Sequence, residues 1–332
     1  MRPGPADVGS LGPSAPTPGA AGALRGQRIL VTGFTGRLGG AFAEYLAADN
    51  DVTGVALAAS DEVLASWRTR GVDPCVIDLA ADDYGRLPSD FDYVVHTAAA
   101  VYPRDFEDGM RANAEVPALL MRHTRSARAF LHVSTTGVYL EHDDPWYRAT
   151  ETDVIGGSRL MGHYTGTKAA GEGAVRAMAR VLNLPTVICR MDVQYGTYAD
   201  GGLPVMFLAD IINGVPIVLP KSHDWVKALV HQDDLQSFIA PSLAAAAVPA
   251  TTVNWSGDEA LKGEEWIRYL GSLVGVEPVF VYDDDRARPG GAPSAALRTS
   301  ITGPAVVGWR EGLRRTVEYW APRIRAGQYP AR

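Results

Sequence analysis

The chain has 332 residues, 46% of them apolar and 21% charged, with a net charge of −7 and a pI near 5.5. That length and composition suit one large α/β domain with a smaller appended one. They carry no basic stripe for nucleic acid, no apolar run of the roughly 18 residues a membrane helix needs, and two separated cysteines that make neither a disulfide framework nor a metal motif.

Residues 1–26 are rich in Pro, Gly and Ala and lack a compact apolar core, so a disordered tail is expected there and not a signal peptide. Folded structure is predicted to start at Arg28-Ile-Leu-Val-Thr32, an apolar, β-prone run. Gly33, Gly36 and Gly39 follow at spacings of three, and Ala41 to Ala48 continue as a helix with Phe42, Tyr45 and Leu46 as candidate buried positions. Strand, glycine turn and helix in that order can cradle a dinucleotide pyrophosphate: glycine allows close backbone approach, and the helix start offers free N–H groups. Further strands are predicted near 52–57, 74–77, 93–97, 129–134 and 186–191, alternating with helices as a parallel sheet requires. The run Ala129 to Tyr139 ends in Ser134, Thr135 and Thr136, hydroxyls at the strand end that faces the ligand crevice.

Tyr164 and Lys168 stand four apart, on one helix face. With 13 tyrosines and lysine only at 168, 221, 227 and 262, chance gives roughly 0.16 such pairs, so the pair counts as a signal that needs company. Beyond Gly196 the pattern is broken by Gly201, Gly202, Pro204, Pro216 and Pro220. Asp283, Asp284 and Asp285 read as a solvated loop, and no metal site is expected.

Together these motifs resemble the extended short-chain dehydrogenases/reductases, the NAD-dependent epimerase/dehydratase family, from about residue 27 to 322. Thr32-Gly-Phe-Thr-Gly-Arg-Leu-Gly39 resembles TGxxGxxG, Val94-Val-His-Thr-Ala-Ala-Ala100 resembles VxHxAA, and Tyr164 to Lys168 resembles YxxxK. Val230-His-Gln-Asp-Asp234 is similar to the family's VHVDD, and Gly308 to Trp320 to its terminal helix. The resemblance implies a Rossmann-type doubly wound parallel sheet over 27–197 plus about 226–249. It implies a smaller C-terminal substrate-binding lobe over 198–225 plus about 250–322.

The resemblance assigns catalysis to Thr135, Tyr164 and Lys168, with Tyr164 as general acid or base and its phenol drawn down by Lys168 and an oxidised nicotinamide. Cofactor contacts fall to Gly33, Thr35, Gly36, Arg37, Leu38, Gly39, Asp78, Leu79, Ala98 and Ala99, with Tyr164 and Lys168; Asp78 is set against adenine. Asn113 is read as a helix support or a relay member. The expected enzyme is an NAD(P)-dependent reductase or dehydrogenase of a ketone or secondary alcohol. The alternatives are a nucleotide-sugar epimerase with retained NAD and a non-catalytic binding protein on the same fold.

Thr136-Gly137 after Thr135 disfavours dehydration, since dehydratases place acids there. Val193 and Lys227, at positions where the family often has Asn and Arg, weaken a nucleotide sugar. Trp146, Tyr147, Met161, Tyr198, Met206, Phe207 and Trp225 are candidates for an apolar pocket or for lobe core. NADP is slightly favoured over NAD, because Ala56 stands where NAD enzymes carry an acid and Arg37 is a nearby cation. A cytoplasmic homodimer is expected, joined through helices near 105–123 and 160–181, with small-molecule substrate and neither nucleic acid nor membrane as partner.

Overall fold

The computed structural model describes residues 24–157 and 161–329, so most of the expected N-terminal tail lies outside the described residues. Seven parallel strands form the sheet: β1 (Arg28–Thr32), β2 (Asp51–Ala56), β3 (Val72–Val76), β4 (Tyr93–His96), β5 (Ala129–Thr135), β6 (Thr186–Met191) and β7 (Thr251–Trp255). Their order is β7-β6-β5-β4-β1-β2-β3, which reverses between β1 and β4 and opens a crevice at the carboxyl ends of those two strands. Helices cover both faces, so the central strands are apolar on both sides; six of the seven residues of β5 are buried. The sheet is the doubly wound Rossmann-type arrangement expected. One boundary moves: β7 comes from 251–255, a stretch the sequence reading put in the lobe, and pairs with β6 from Thr251 opposite Val187 to Trp255 opposite Met191.

Helix α1 (Arg37–Ala47) buries Ala41, Phe42 and Leu46, but Tyr45 points outward and is 44% exposed, a correction to the predicted core. Its start at Gly36 has no side-chain cap, which leaves the first N–H groups free. Helix α2 (Asp61–Thr69) is capped by Ser60. The segment after β4 runs through α3 (Phe106–Met110), a widened π turn (Arg111–Glu115) and α4 (Val116–His123), and lies against α5 (Gly162–Leu182). Asn113 sits in that π turn. Its amide oxygen accepts from Ala100 N at 2.9 Å, and its Nδ2 donates to Ala100 O and to Thr167 Oγ1, each at 3.0 Å. Its side-chain amide thereby ties the β4 loop to α5.

Past β6, helices α6 (Leu203–Ile212), α8 (Gly263–Val274) and α10 (Trp309–Arg325) share an apolar cluster of their own, in which Phe207 stacks on Trp266 and Trp225 meets both rings at an angle. Phe207 and Trp225 are therefore lobe core, and Trp225 also lines a cavity of about 300 Å³ with His223 and Lys262. Helices α7 (Gln232–Ala244) and α9 (Ala296–Thr302) lie by the sheet. The remaining strands are short pairs, such as Ala292–Pro293 beside Arg148–Ala149. No helix among the described residues is long and apolar enough to cross a membrane.

Candidate active site

The crevice is lined by four strand ends. At the end of β1, Gly33 has φ +74°, a conformation that favours glycine, and its N–H donates to Val55 O at 2.6 Å. A Cβ on Gly33 would press on Ala98, and one on Gly39 would meet Gly33 O at 2.2 Å, so loop and helix close only with glycine at both places. Thr35 and Gly36 stay exposed, and Arg37 and Leu38 begin α1 beside them. Ala98 and Ala99 follow β4, where Thr32 Oγ1 accepts from the amides of Thr97 and Ala98, both at 3.2 Å. Asp78 and Leu79 follow β3: Leu79 is buried, while Asp78 is exposed and caps a short turn by accepting from Ala80 N at 2.9 Å. These residues come from separate segments and meet along one edge, with close-packed glycines facing exposed backbone. That cradle fits a dinucleotide.

Thr135 ends β5, and its Oγ1 accepts from Gly137 N at 3.1 Å. Tyr164, half-buried in the first turn of α5, stands near Thr135, whose hydroxyl favours the phenolate. Burial raises the Tyr164 phenol above its ordinary range, against the pull of the Thr135 hydroxyl and of the Arg37 charge. Lys168 stands one turn further along α5. Its amine lies deeper. It is 1% exposed, donates to Val133 O at 2.7 Å, and is 3.4 Å from His132 Nε2. Burial pulls Lys168 down to about 8.

Beneath this trio lies a dry ion pair that no motif announced. Glu172, one turn beyond Lys168, takes Arg190 NH2 at 2.7 Å and Ser134 Oγ at 2.6 Å. Arg190 also lies 4.8 Å over the Tyr139 ring, whose hydroxyl donates to Asn254 Oδ1 at 2.6 Å. Helix α5 is thus fastened to β5 at Val133 and Ser134, the two positions that lead into Thr135.

Two further acids went unremarked in the sequence. Asp200 grips Arg37 through Nε and NH2 at 2.5 and 2.6 Å, so Arg37 is not the free cation that the motif alone suggests. Only its glycine-rich neighbourhood marked Asp200. Asp192, just after β6, accepts from Thr136 Oγ1 at 3.0 Å and Ala228 N at 2.8 Å, with Lys227 Nζ 3.8 Å away; burial raises its carboxyl. Thr136 and Lys227 line a cavity of about 290 Å³ with Gly137, Tyr147, His223 and the glycine-proline segment 289–293. Trp146 stands at the surface, where its Nε1 donates to Asp224 Oδ2 at 3.0 Å, and Tyr198 leans on α1 through Glu44. Of the acidic run, Asp284 accepts from the amides of Lys221 and Ser222.

Among curated protein sequences, none matches this chain. Its fold is similar to UDP-glucuronic acid 4-epimerase from Bacillus cereus, seen as a point mutant in complex with NAD and a fluorinated UDP-glucuronic acid: TM-score 0.76, 19% identity, 89% of this chain and 99% of that one. UDP-glucose 4-epimerase from Thermotoga maritima gives a TM-score of 0.74 at 20% identity over 90% and 99% of the two chains. The dTDP-glucose 4,6-dehydratase DesIV from Streptomyces venezuelae, with NAD and TYD bound, gives 0.74 at 21% over 89% and 97%. The model of the NAD dependent epimerase/dehydratase family matches residues 29–254. The chain belongs to that family and is an enzyme of the extended short-chain dehydrogenase/reductase type.

Proposed function

We propose that this enzyme interconverts a ketone and a secondary alcohol with a nicotinamide dinucleotide, and that Tyr164 moves the proton. The observation that carries the reading is the convergence of Thr135 at the carboxyl end of β5 with Tyr164 and Lys168 of α5, which the Lys168 bond to Val133 O at 2.7 Å and the Ser134 bond to Glu172 hold against that strand, beside the glycine cradle. The nicotinamide supplies or accepts hydride when bound. The chain's own part is to bind substrate oxygen at Thr135, give or take its proton at the Tyr164 hydroxyl, and keep Lys168 dry beside both. Gly33, Thr35, Gly36, Arg37, Leu38, Gly39, Asp78, Leu79, Ala98 and Ala99 would hold the dinucleotide.

A second reading is a nucleotide-sugar 4-epimerase, favoured by the activities named for the Bacillus and Thermotoga neighbours. The two separate on net redox change. A reductase consumes reduced cofactor in proportion to an added ketone. An epimerase converts UDP-glucose or UDP-glucuronic acid to its C4 epimer with no net change in cofactor. A panel of ketones and these two sugar nucleotides, followed by nicotinamide absorbance and by product NMR, decides between them; stoichiometric cofactor loss sinks the epimerase. We further propose a homodimer through the α3–α4 and α5 faces, where Ala170, Ala174 and Ala177 permit close helix approach. A monomer by light scattering at micromolar concentration would overturn it.

A further inference from the structure

A row of polar side chains crosses the apolar sheet one residue below the crevice. Thr32, His96 and His132 are register partners on β1, β4 and β5: Thr32 opposite His96, and His96 opposite His132. All three are at most 1% exposed. The two imidazoles stack at 5.3 Å with 18° between their planes. Polar groups in such a place cost stability unless hydrogen-bonded, so their bonding pattern needs an account.

Donor bookkeeping assigns the protons. Thr32 Oγ1 already accepts two amides, so its hydroxyl proton goes to His96 Nδ1, 2.7 Å away, and His96 carries its own proton on Nε2. At the other end of the row Lys168 Nζ is 3.4 Å from His132 Nε2. A charged amine can only donate, so His132 Nε2 then accepts and the ring proton sits on Nδ1. A neutral amine has a lone pair, so His132 can turn its tautomer and donate from Nε2. His132 Nδ1 and His96 Nε2 have no partner among the described residues, so nothing else there holds His132 in one tautomer.

We propose that His132 is a positioning residue for Lys168, giving its amine a hydrogen-bond partner in both of its protonation states. Other groups facing Lys168 do less. Glu172 on the same helix favours its charge but is bonded to Arg190 and Ser134. Asn113, from the π turn, reaches Thr167 and the Ala100 carbonyl instead. The Val133 carbonyl can only accept. His96 and His132 are both held neutral, chiefly by burial and secondarily by the Lys168 charge, so the row adds no second cation. The inference rests on the reading that Lys168 serves the cofactor site.

The chain has four lysines, so each gives a resolvable NMR signal with 13Cε-labelled lysine. Arginine replacement of Lys221, Lys227 and Lys262 assigns the fourth signal to Lys168. We expect it to titrate near pH 8 in the full chain. Imidazole 15N shifts of His132 should change through the same midpoint, with Nε2 passing from acceptor to donor. His132→Phe keeps a ring and removes its nitrogens; because the bond given by the charged amine is the stronger of the two, the change should lower the Lys168 midpoint by about one unit, a tenfold loss of proton affinity. His132→Gln, whose amide can donate or accept, should restore it. Imidazole shifts that stay constant through the Lys168 titration overturn the proposal in the wild-type chain alone, whether or not His132→Phe folds. Cofactor affinity of Lys168→Ala, measured separately, tests the reading beneath it.

Discussion

The two walls of the crevice are built on opposite principles. On the sheet side, Thr135, Tyr164 and Lys168 are fixed by partners buried in a dry interior: the Val133 carbonyl, His132, and the ion pair of Glu172 with Arg190, whose side chains are 3% and 7% exposed. On the lobe side, the cavity wall is made of two-residue strands, a glycine-proline segment and side chains such as Tyr147, 38% exposed. A buried polar group tolerates few arrangements because each lost partner is costly, whereas a solvated wall can change one residue at a time. On the proposed reading, the chemistry is held by the first wall and substrate choice by the second.

The largest expected break lies on the sheet side. Tyr164→Phe should lower turnover of whichever substrate the panel identifies by about two to four orders of magnitude, the usual scale of general acid–base catalysis, and leave cofactor affinity nearly unchanged. Lys168→Ala should damage both. A Tyr164→Phe enzyme that turns over normally removes this residue from the mechanism.

The fastening beneath the trio gives the next effect. Glu172→Ala leaves the Arg190 guanidinium buried beside Tyr139 without its counter-charge, and breaking such a pair costs about 3–5 kcal/mol. Denaturant unfolding should show that loss. Glu318→Ala on the exposed face of α10, where Arg314 is its partner, should leave the melting temperature unmoved. Equal effects would show that burial gives the Glu172–Arg190 pair no more weight than an exposed pair.

What the sequence disclosed follows the same division. The glycine loop, VxHxAA and YxxxK were legible because each is local: backbone approach or helix spacing demands particular residues within a few positions. The seventh strand was missed because Thr251–Trp255 is separated from its neighbour β6 by some sixty residues of mixed pattern. His96 and His132 could not be linked, since register between strands leaves no mark in either one. Asp192 and Asp200 acquire their roles from partners, Thr136 and Arg37, that folding brings from far along the chain. Their only sign in the sequence was an acid among apolar residues or glycines.

Acid should also find the sheet side first. Burial holds His96 down to about 3, His231 to about 4 and His132 well below its ordinary value, so all three are neutral in the fold at pH 5. In the unfolded chain they bind protons below about pH 6.5, so the unfolded state takes up more protons and stability falls as pH drops from 6.5 toward 4. Each histidine adds up to about 1.4 kcal/mol per pH unit to that slope. Asp234, raised to about 6 by burial, opposes them, because it takes up its proton in the fold before it would unfolded and so offsets one histidine; Asp192, also raised by burial, acts in the same sense. Urea midpoints at pH 7, 6 and 5 should therefore fall steadily. A flat profile would mean that the imidazoles reach solvent.

The smallest expected effect concerns the cofactor's phosphate, at a place where Arg37 of α1 meets Asp200 from beyond β6. NAD enzymes of this fold set a carboxylate on the adenosine ribose at the end of the second strand. Here β2 ends at Ala56, and the next residue, Leu57, is 70% exposed, so no acid opposes a 2′-phosphate from that strand. Arg37 is the nearby cation, but its guanidinium is held at two points by Asp200. A 2′-phosphate must compete with Asp200 for it. NADP(H) preference in the wild-type chain should therefore be modest. Asp200→Asn should increase it and Arg37→Ala should abolish it, each by about two- to five-fold, the scale of a half-exposed ion pair. Titration of NAD(H) and NADP(H) into all three proteins gives the ratios. Clearly tighter NAD(H) binding in the wild type, unmoved by Asp200→Asn, would mean that cofactor choice is made elsewhere than at this pair.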